Sequence, residues 1–134
     1  MNYYANNAPS GNVGTAIVRI ITGLLLAYHG LEVFDAKLMK DYAQWDMFKD
    51  LPIGLVLVYL GKGAEFVAGI LLALGLFTKL ASVVTIITML GIMFFVGHGK
   101  FWYEDQHPFL FVLLALIFLF NGGGRWSIDE RLKK

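Results

Sequence analysis

Residues 51–77 read LPIGLVLVYLGKGAEFVAGILLALGLF, a run apolar and long enough to cross a bilayer that nonetheless carries Lys62 and Glu65. A charge inside a lipid-spanning helix costs about 2.5–3.5 kcal/mol on insertion scales, so such groups face protein, water or a partner. Three residues apart, the two side chains fall on one helix face and can pair. Gly61 and Gly69, a turn to either side of Glu65, admit a neighbouring helix.

The remaining chain supplies neighbours of the same kind. Of 134 residues 57% are hydrophobic and only 16% charged, whereas soluble domains carry about a quarter charged residues. The apolar residues fall in four blocks, 13–34, 51–77, 80–97 and 105–121. This predicts one all-α domain over 1–134, an antiparallel four-helix bundle integral to the membrane. Between the first two blocks, residues 35–49 place Leu38, Tyr42, Trp45 and Phe48 on one helical face and Lys37, Lys40, Asp41 and Lys49 on the other. That pattern predicts an amphipathic surface helix, serving as an anchor or as a lid.

Several boundaries carry their own signals. Asp50 before Leu51-Pro52 is the expected cap of the second span. Asp105 is the expected cap of the last span, which puts His107 inside that helix. Ser127 and Glu130 form a capping box in the tail, residues 125–134. The first sixteen residues hold no Lys or Arg and read as an uncleaved, poorly ordered leader. Lys79, Arg125, Arg131, Lys133 and Lys134 on the terminal side outnumber Lys37, Lys40, Lys49 and Lys100 on the other, which favours cytoplasmic termini. A net charge of +1 gives no case for nucleic acid. With no cysteine there is no disulfide, thiolate metal site or iron–sulfur ligation.

Counting helical rise from the inner boundaries puts His29, Lys62, Glu65 and His107 at one level, roughly 18–23 Å deep. A lipid-accessible cluster of this type suits a quinone headgroup, whose reduction needs two protons as well as two electrons. Glu65 is the candidate proton acceptor; Lys62, His29, His107 and Tyr59 are the candidate pocket. The competing reading is that Lys62 and Glu65 merely neutralise each other while the histidines satisfy backbone carbonyls. Haem on His29 and His98 is less favoured, as is zinc on His29, His98, His107 and Glu65, no two of which stand at helical i, i+3 or i, i+4 spacing. Arg19, on the stripe of Gly23 and Gly30, points toward packed protein. Its candidate partners are Asp129, as an ion pair, or a free carbonyl at the end of the last helix.

These residues also carry a family resemblance. Arg19, Gly23 and His29-Gly30, then Glu65-x3-Gly69-x5-Gly75-x2-Thr78-Lys79, and finally Gly122-x-Gly124-Arg125-Trp126-Ser127-x-Asp129 stand in order over residues 18–132. Together they resemble the DoxX family of small four-helix membrane proteins. Where that family often has a lysine or arginine shortly after His-Gly, this chain has Glu32. The resemblance implies a bacterial inner-membrane protein tied to redox chemistry, since the family takes its name from a subunit of a thiosulfate–quinone oxidoreductase. It implies either a quinone-interacting subunit or a non-enzymatic anchor or assembly factor for a partner oxidoreductase. A homo-oligomer is compatible with both.

Overall fold

The computed structural model describes residues 9–133, with side chains from residue 13 onward. Among them every regular element is helical: α1 (Pro9–Gly30), a 3₁₀ turn (Leu31–Phe34), α2 (Ala36–Ala43), α3 (Gly54–Leu74), α4 (Thr78–Gly91), a π turn (Ile92–Val96), α5 (Gln106–Asn121) and α6 (Ile128–Leu132). Three stretches are long and apolar enough to cross a membrane, Val13–Phe34, Gly54–Leu74 and Thr78–Val96; α5 is a shorter apolar helix of 16 residues. α1 packs on α3, α3 also on α2 and α4, and α4 on α5. Leu26, Leu72, Met89, Phe111 and Phe118 meet in the core, while Leu24, Leu60, Ile87 and Phe120 stand more than half exposed. An apolar outer surface of this kind suits lipid as solvent.

The α1–α3 seam is closed by glycine. A Cβ at Gly23 would strike the backbone of Ala73, one at Gly69 that of Ala27, and one at Gly30 that of Phe66. The two backbones therefore lie in direct contact at three points over about two turns, as small residues permit in membrane helices.

At the C-terminal end of α3, Gly75 (φ +68°) terminates the helix and Leu76 N–H donates to the Leu71 carbonyl, which closes a Schellman turn. Asp129 locks that turn. Its carboxylate accepts from the N–H groups of Phe77 (2.7 Å) and Thr78 (2.8 Å) and caps α4, and its own N–H donates to the Gly75 carbonyl at 2.9 Å. Burial alone would raise the Asp129 pKa, but hydrogen bonds from Thr78 and Phe77 outweigh it and hold the carboxyl below its ordinary 3.8.

Four local expectations are corrected. Residues 9–16 belong to α1 rather than to a leader, and residues 1–8 lie outside the described ones. The surface helix stops at Ala43 instead of running to 49, and turns carry the chain to α3. A continued helix would rotate Phe48 about 120° from Tyr42; the break lets Tyr42, Trp45 and Phe48 face one cavity. Asp50 caps nothing, because α3 starts at Gly54 with Ile53 before it and no side-chain cap. Asp105 stands at the cap position of α5, but its side chain turns back to accept from the N–H groups of His98 (3.0 Å) and Lys100 (2.9 Å). It thereby holds the loop after the π turn. Ser127 does accept from Glu130 N–H, at 3.3 Å.

Candidate functional site

α3 presents Lys62 and Glu65 on the face that meets α1, α2 and the π turn. The ammonium of Lys62 lies 3.3 Å from the Glu65 carboxylate and 2.9 Å from that of Glu32. Glu65 is 3% exposed, whereas the Glu32 side chain is 33% exposed. Glu32 reaches this point because α1 tightens into the 3₁₀ turn just after Gly30 meets Phe66. From α2, Tyr42 donates its hydroxyl to the same Glu32 oxygen at 2.9 Å and sets its ring 5.6 Å below the Lys62 ammonium. Burial, followed by the hydrogen bond and charge of Glu32, pushes the Tyr42 hydroxyl up to about 12. It therefore stays protonated and donating at physiological pH.

Lys62 and Glu65 also stand between two cavities. One, about 200 Å³, is walled by Tyr42, Trp45, Phe48, Leu57, Val58, Gly61, Ile92 and Val96. The other, about 150 Å³, is bounded by Leu26, His29, Met89, Ile92, His107, Pro108 and Phe111. His29 and His107 pack edge to face with ring centroids 5.0 Å apart, and Phe111 closes on His107 at 5.2 Å. His29 is half-buried and His107 exposed, so the pair runs from the surface toward the buried carboxylate. Two carboxylates share one ammonium, leaving the cluster one positive charge short of balance.

The structure thus brings His29, Lys62, Glu65 and His107 together around one cavity. Tyr59 is placed elsewhere: it lines neither cavity and opens on an apolar groove between α3 and α4. A shared depth does not fix the angle around the helix, and Tyr59 is about 120° from Glu65 by residue count. Arg19, 1% exposed, donates to the carbonyls of Leu72 (2.9 Å), Gly123 and Trp126 (3.0 Å). Among the described residues it forms no ion pair with Asp129, whose oxygens are taken by the α4 cap. The carbonyls it takes lie in the last turn of α3 and in the segment after α5, rather than in the last turn of α5 itself.

Sequence reasoning missed Glu32, Tyr42 as a polar partner, and the π turn. Glu32 could be found from its spacing, three residues after His29. The π turn has no signal in IMFFV, an ordinary apolar run; such turns recur at functional sites. No group of three or more His, Asp or Glu among the described residues is placed to hold a metal ion.

Fold and site together define a small helical membrane protein with an ion-paired polar cluster set among its spans. The chain belongs to the DoxX family, whose model matches residues 14–98. It is 32% identical over 133 residues to an uncharacterized membrane protein of Mycobacterium tuberculosis, covering 87% of this chain and 80% of that protein. It is 27% identical over 121 residues to the Bacillus subtilis protein named "Putative oxidoreductase CatD", covering 90% of this chain and 87% of that one. No solved structure matches.

Proposed function

We propose that this protein is a quinone-interacting subunit of a redox complex in the bacterial inner membrane, with α1, α3, α4 and α5 crossing as an antiparallel four-helix bundle and both termini cytoplasmic. The observation that carries the reading is the Lys62 ammonium shared by a buried and a partly exposed carboxylate at the wall of an otherwise apolar cavity. The residues present fit a quinone headgroup. Lys62 offers N–H donors to a ring carbonyl, Trp45, Phe48 and Ile92 offer flat apolar walls, and Glu65 offers a proton site. A cavity of about 150 Å³ already admits benzene, so about 200 Å³ accommodates a single ring.

A bound quinone supplies two-electron, two-proton redox capacity. The chain's own residues do the rest. Lys62 orients the ring carbonyl, Glu65 holds or releases a proton, and His29 with His107 links that carboxylate to the surface. The aromatic side chains of the segment after α2 keep bulk water from the cavity. Electrons come from a partner oxidoreductase, for which the chain, having no cysteine, provides no thiol relay. The name carried by the Bacillus subtilis relative supports an oxidoreductase setting.

The test is quinone content. Protein purified in mild detergent is extracted and its quinone measured per chain, alongside Glu65→Gln. The expected result is near-stoichiometric quinone in the wild type and clear loss in the variant at an unchanged melting temperature. Wild-type protein that extracts quinone-free and takes up none on titration overturns the reading and leaves the anchor role. In that case the partner should depend on Trp45 and Phe48 and ignore Glu65→Gln.

A further inference from the structure

Not every small residue in these spans serves helix contact. Gly23, Gly30 and Gly69 close the α1–α3 seam, where any Cβ would collide. Gly61, Gly63 and Gly91, on α3 and α4, have nothing within 4 Å of a Cβ. Each such glycine costs a helix about 1 kcal/mol against alanine, here with no backbone brought closer in return. What they leave is a trough along the α3–α4 seam. Its two stretches measure about 330 and 440 Å³ and share Leu60 and Ala64.

The upper stretch is continuous with the polar cavity: Phe48, Leu57, Gly61, Ile92 and Val96 line both. Going the other way, the trough follows α3 from Gly61 to Leu71, about 15 Å at 1.5 Å per residue. Leu60, Ile87 and Phe95, each more than 60% exposed, form its lips, so it opens sideways to the hydrocarbon region. Its surface is almost wholly apolar, and Thr88 keeps its hydroxyl on the Val84 carbonyl at 2.8 Å.

We propose that the site takes a long-tailed amphiphile from within the bilayer, its ring passing the Gly61 neck to Lys62 and Glu65 and its single hydrocarbon tail lying in the α3–α4 trough. This rests on the quinone-headgroup reading and adds the substrate class and the route. A tail, rather than a second helix, is the occupant because the trough runs into the polar cavity instead of ending as a closed face. Tyr59 and Ala64 then belong to tail binding. The π turn keeps Ile92 and Val96 at the neck.

The test compares 2,3-dimethoxy-5-methyl-1,4-benzoquinone with its decyl-tailed homologue. Full-length protein sits in phosphatidylcholine nanodiscs, with Trp102→Phe and Trp126→Phe leaving Trp45 as the fluorescence reporter. Ala64→Leu and Gly91→Leu fill the trough without touching the polar cavity, and Gly91 has open space for the added side chain. Against the same background, each should weaken the decyl compound about tenfold and leave the tailless one within about twofold. Partition into the lipid is common to both proteins and cancels. If both variants bind the decyl compound as the parent does, the trough proposal fails while the headgroup reading stands. If the parent binds neither compound, both fall. If the variants lose both compounds equally, the tail route is refuted.

Discussion

Replacing Lys62 with methionine removes one charge from a cluster of three, and the geometry says which of the remaining two will matter. Glu65 is 3% exposed and loses its partner at 3.3 Å. Glu32 loses a partner at 2.9 Å, but a third of its side chain is exposed and Tyr42 still donates to it. Stranding a buried charge costs about 3–5 kcal/mol, whereas partly exposed pairs contribute about 0–1 kcal/mol. Lys62→Met should therefore destabilise the protein by about 3–5 kcal/mol, nearly all of it through Glu65. Adding Glu65→Met, which makes the pair apolar at similar length, should recover most of the loss, because a well-packed apolar pair often matches a buried ion pair. Adding Glu32→Gln instead should recover less than about 1 kcal/mol. The assay is denaturant unfolding in detergent, followed by tryptophan fluorescence on all four proteins. A larger rescue from Glu32→Gln than from Glu65→Met would refute the assignment of the buried charge. So would a Lys62→Met loss below about 1 kcal/mol, which would mean water already reaches the cluster.

Two further expectations concern the α3–α4 turn and the tail packed on it. Arg19→Met should lower stability by about 2–4 kcal/mol, given that hydrogen bonds from a charged group contribute about 1.5–3 kcal/mol each and do not add fully. Arg19→Lys should lose at least half as much in the same unfolding assay, since one ammonium cannot serve three separated carbonyls; full rescue by lysine would rule out the forked tether. For Asp129 the sign follows from its depressed folded-state pKa: stabilisation is present above the ordinary 3.8 and is lost as pH falls through the lower folded value. The melting temperature of the wild type should thus fall more steeply below about pH 4 than that of Asp129→Asn. Parallel curves would show that the cap is not the titrating contact.

How much of this was legible in the sequence depends on what each feature needs. The shared level of His29, Lys62, Glu65 and His107 needs only a helix, a boundary and a constant rise, and all three can be read from residue order. Tyr59 shows the limit, because depth says nothing about which neighbour a side chain faces. The Glu32 contact depends on where α1 tightens into a 3₁₀ turn, a change set by Gly30 meeting Phe66 rather than by local composition. Tyr42 was visible as part of an apolar stripe, yet its hydroxyl bond to Glu32 requires the fold. Asp129 stood in a recognisable motif, but a carboxylate near an arginine suggests an ion pair. Only the α3–α4 turn reveals two free N–H groups that need it more.

The two seams of α3 divide the work between them. Along α1 the backbones touch at Gly23, Gly69 and Gly30, and no side chain can intervene to let the helices slide. A slip of one turn, about 5.4 Å, would carry Glu32 out of reach of Lys62, which it now meets at 2.9 Å. The bond from Arg19 to the Leu72 carbonyl fixes the same register at the C-terminal end of α3. Glycine on this face therefore delivers a carboxylate from one helix to an ammonium on another. Along α4 the glycines at 61, 63 and 91 leave space instead, and Gly61 does so beside the same Lys62. Rigid contact on one side of a buried charge and open apolar volume on the other is what a site needs if its polar end must stay fixed while a flexible chain comes and goes.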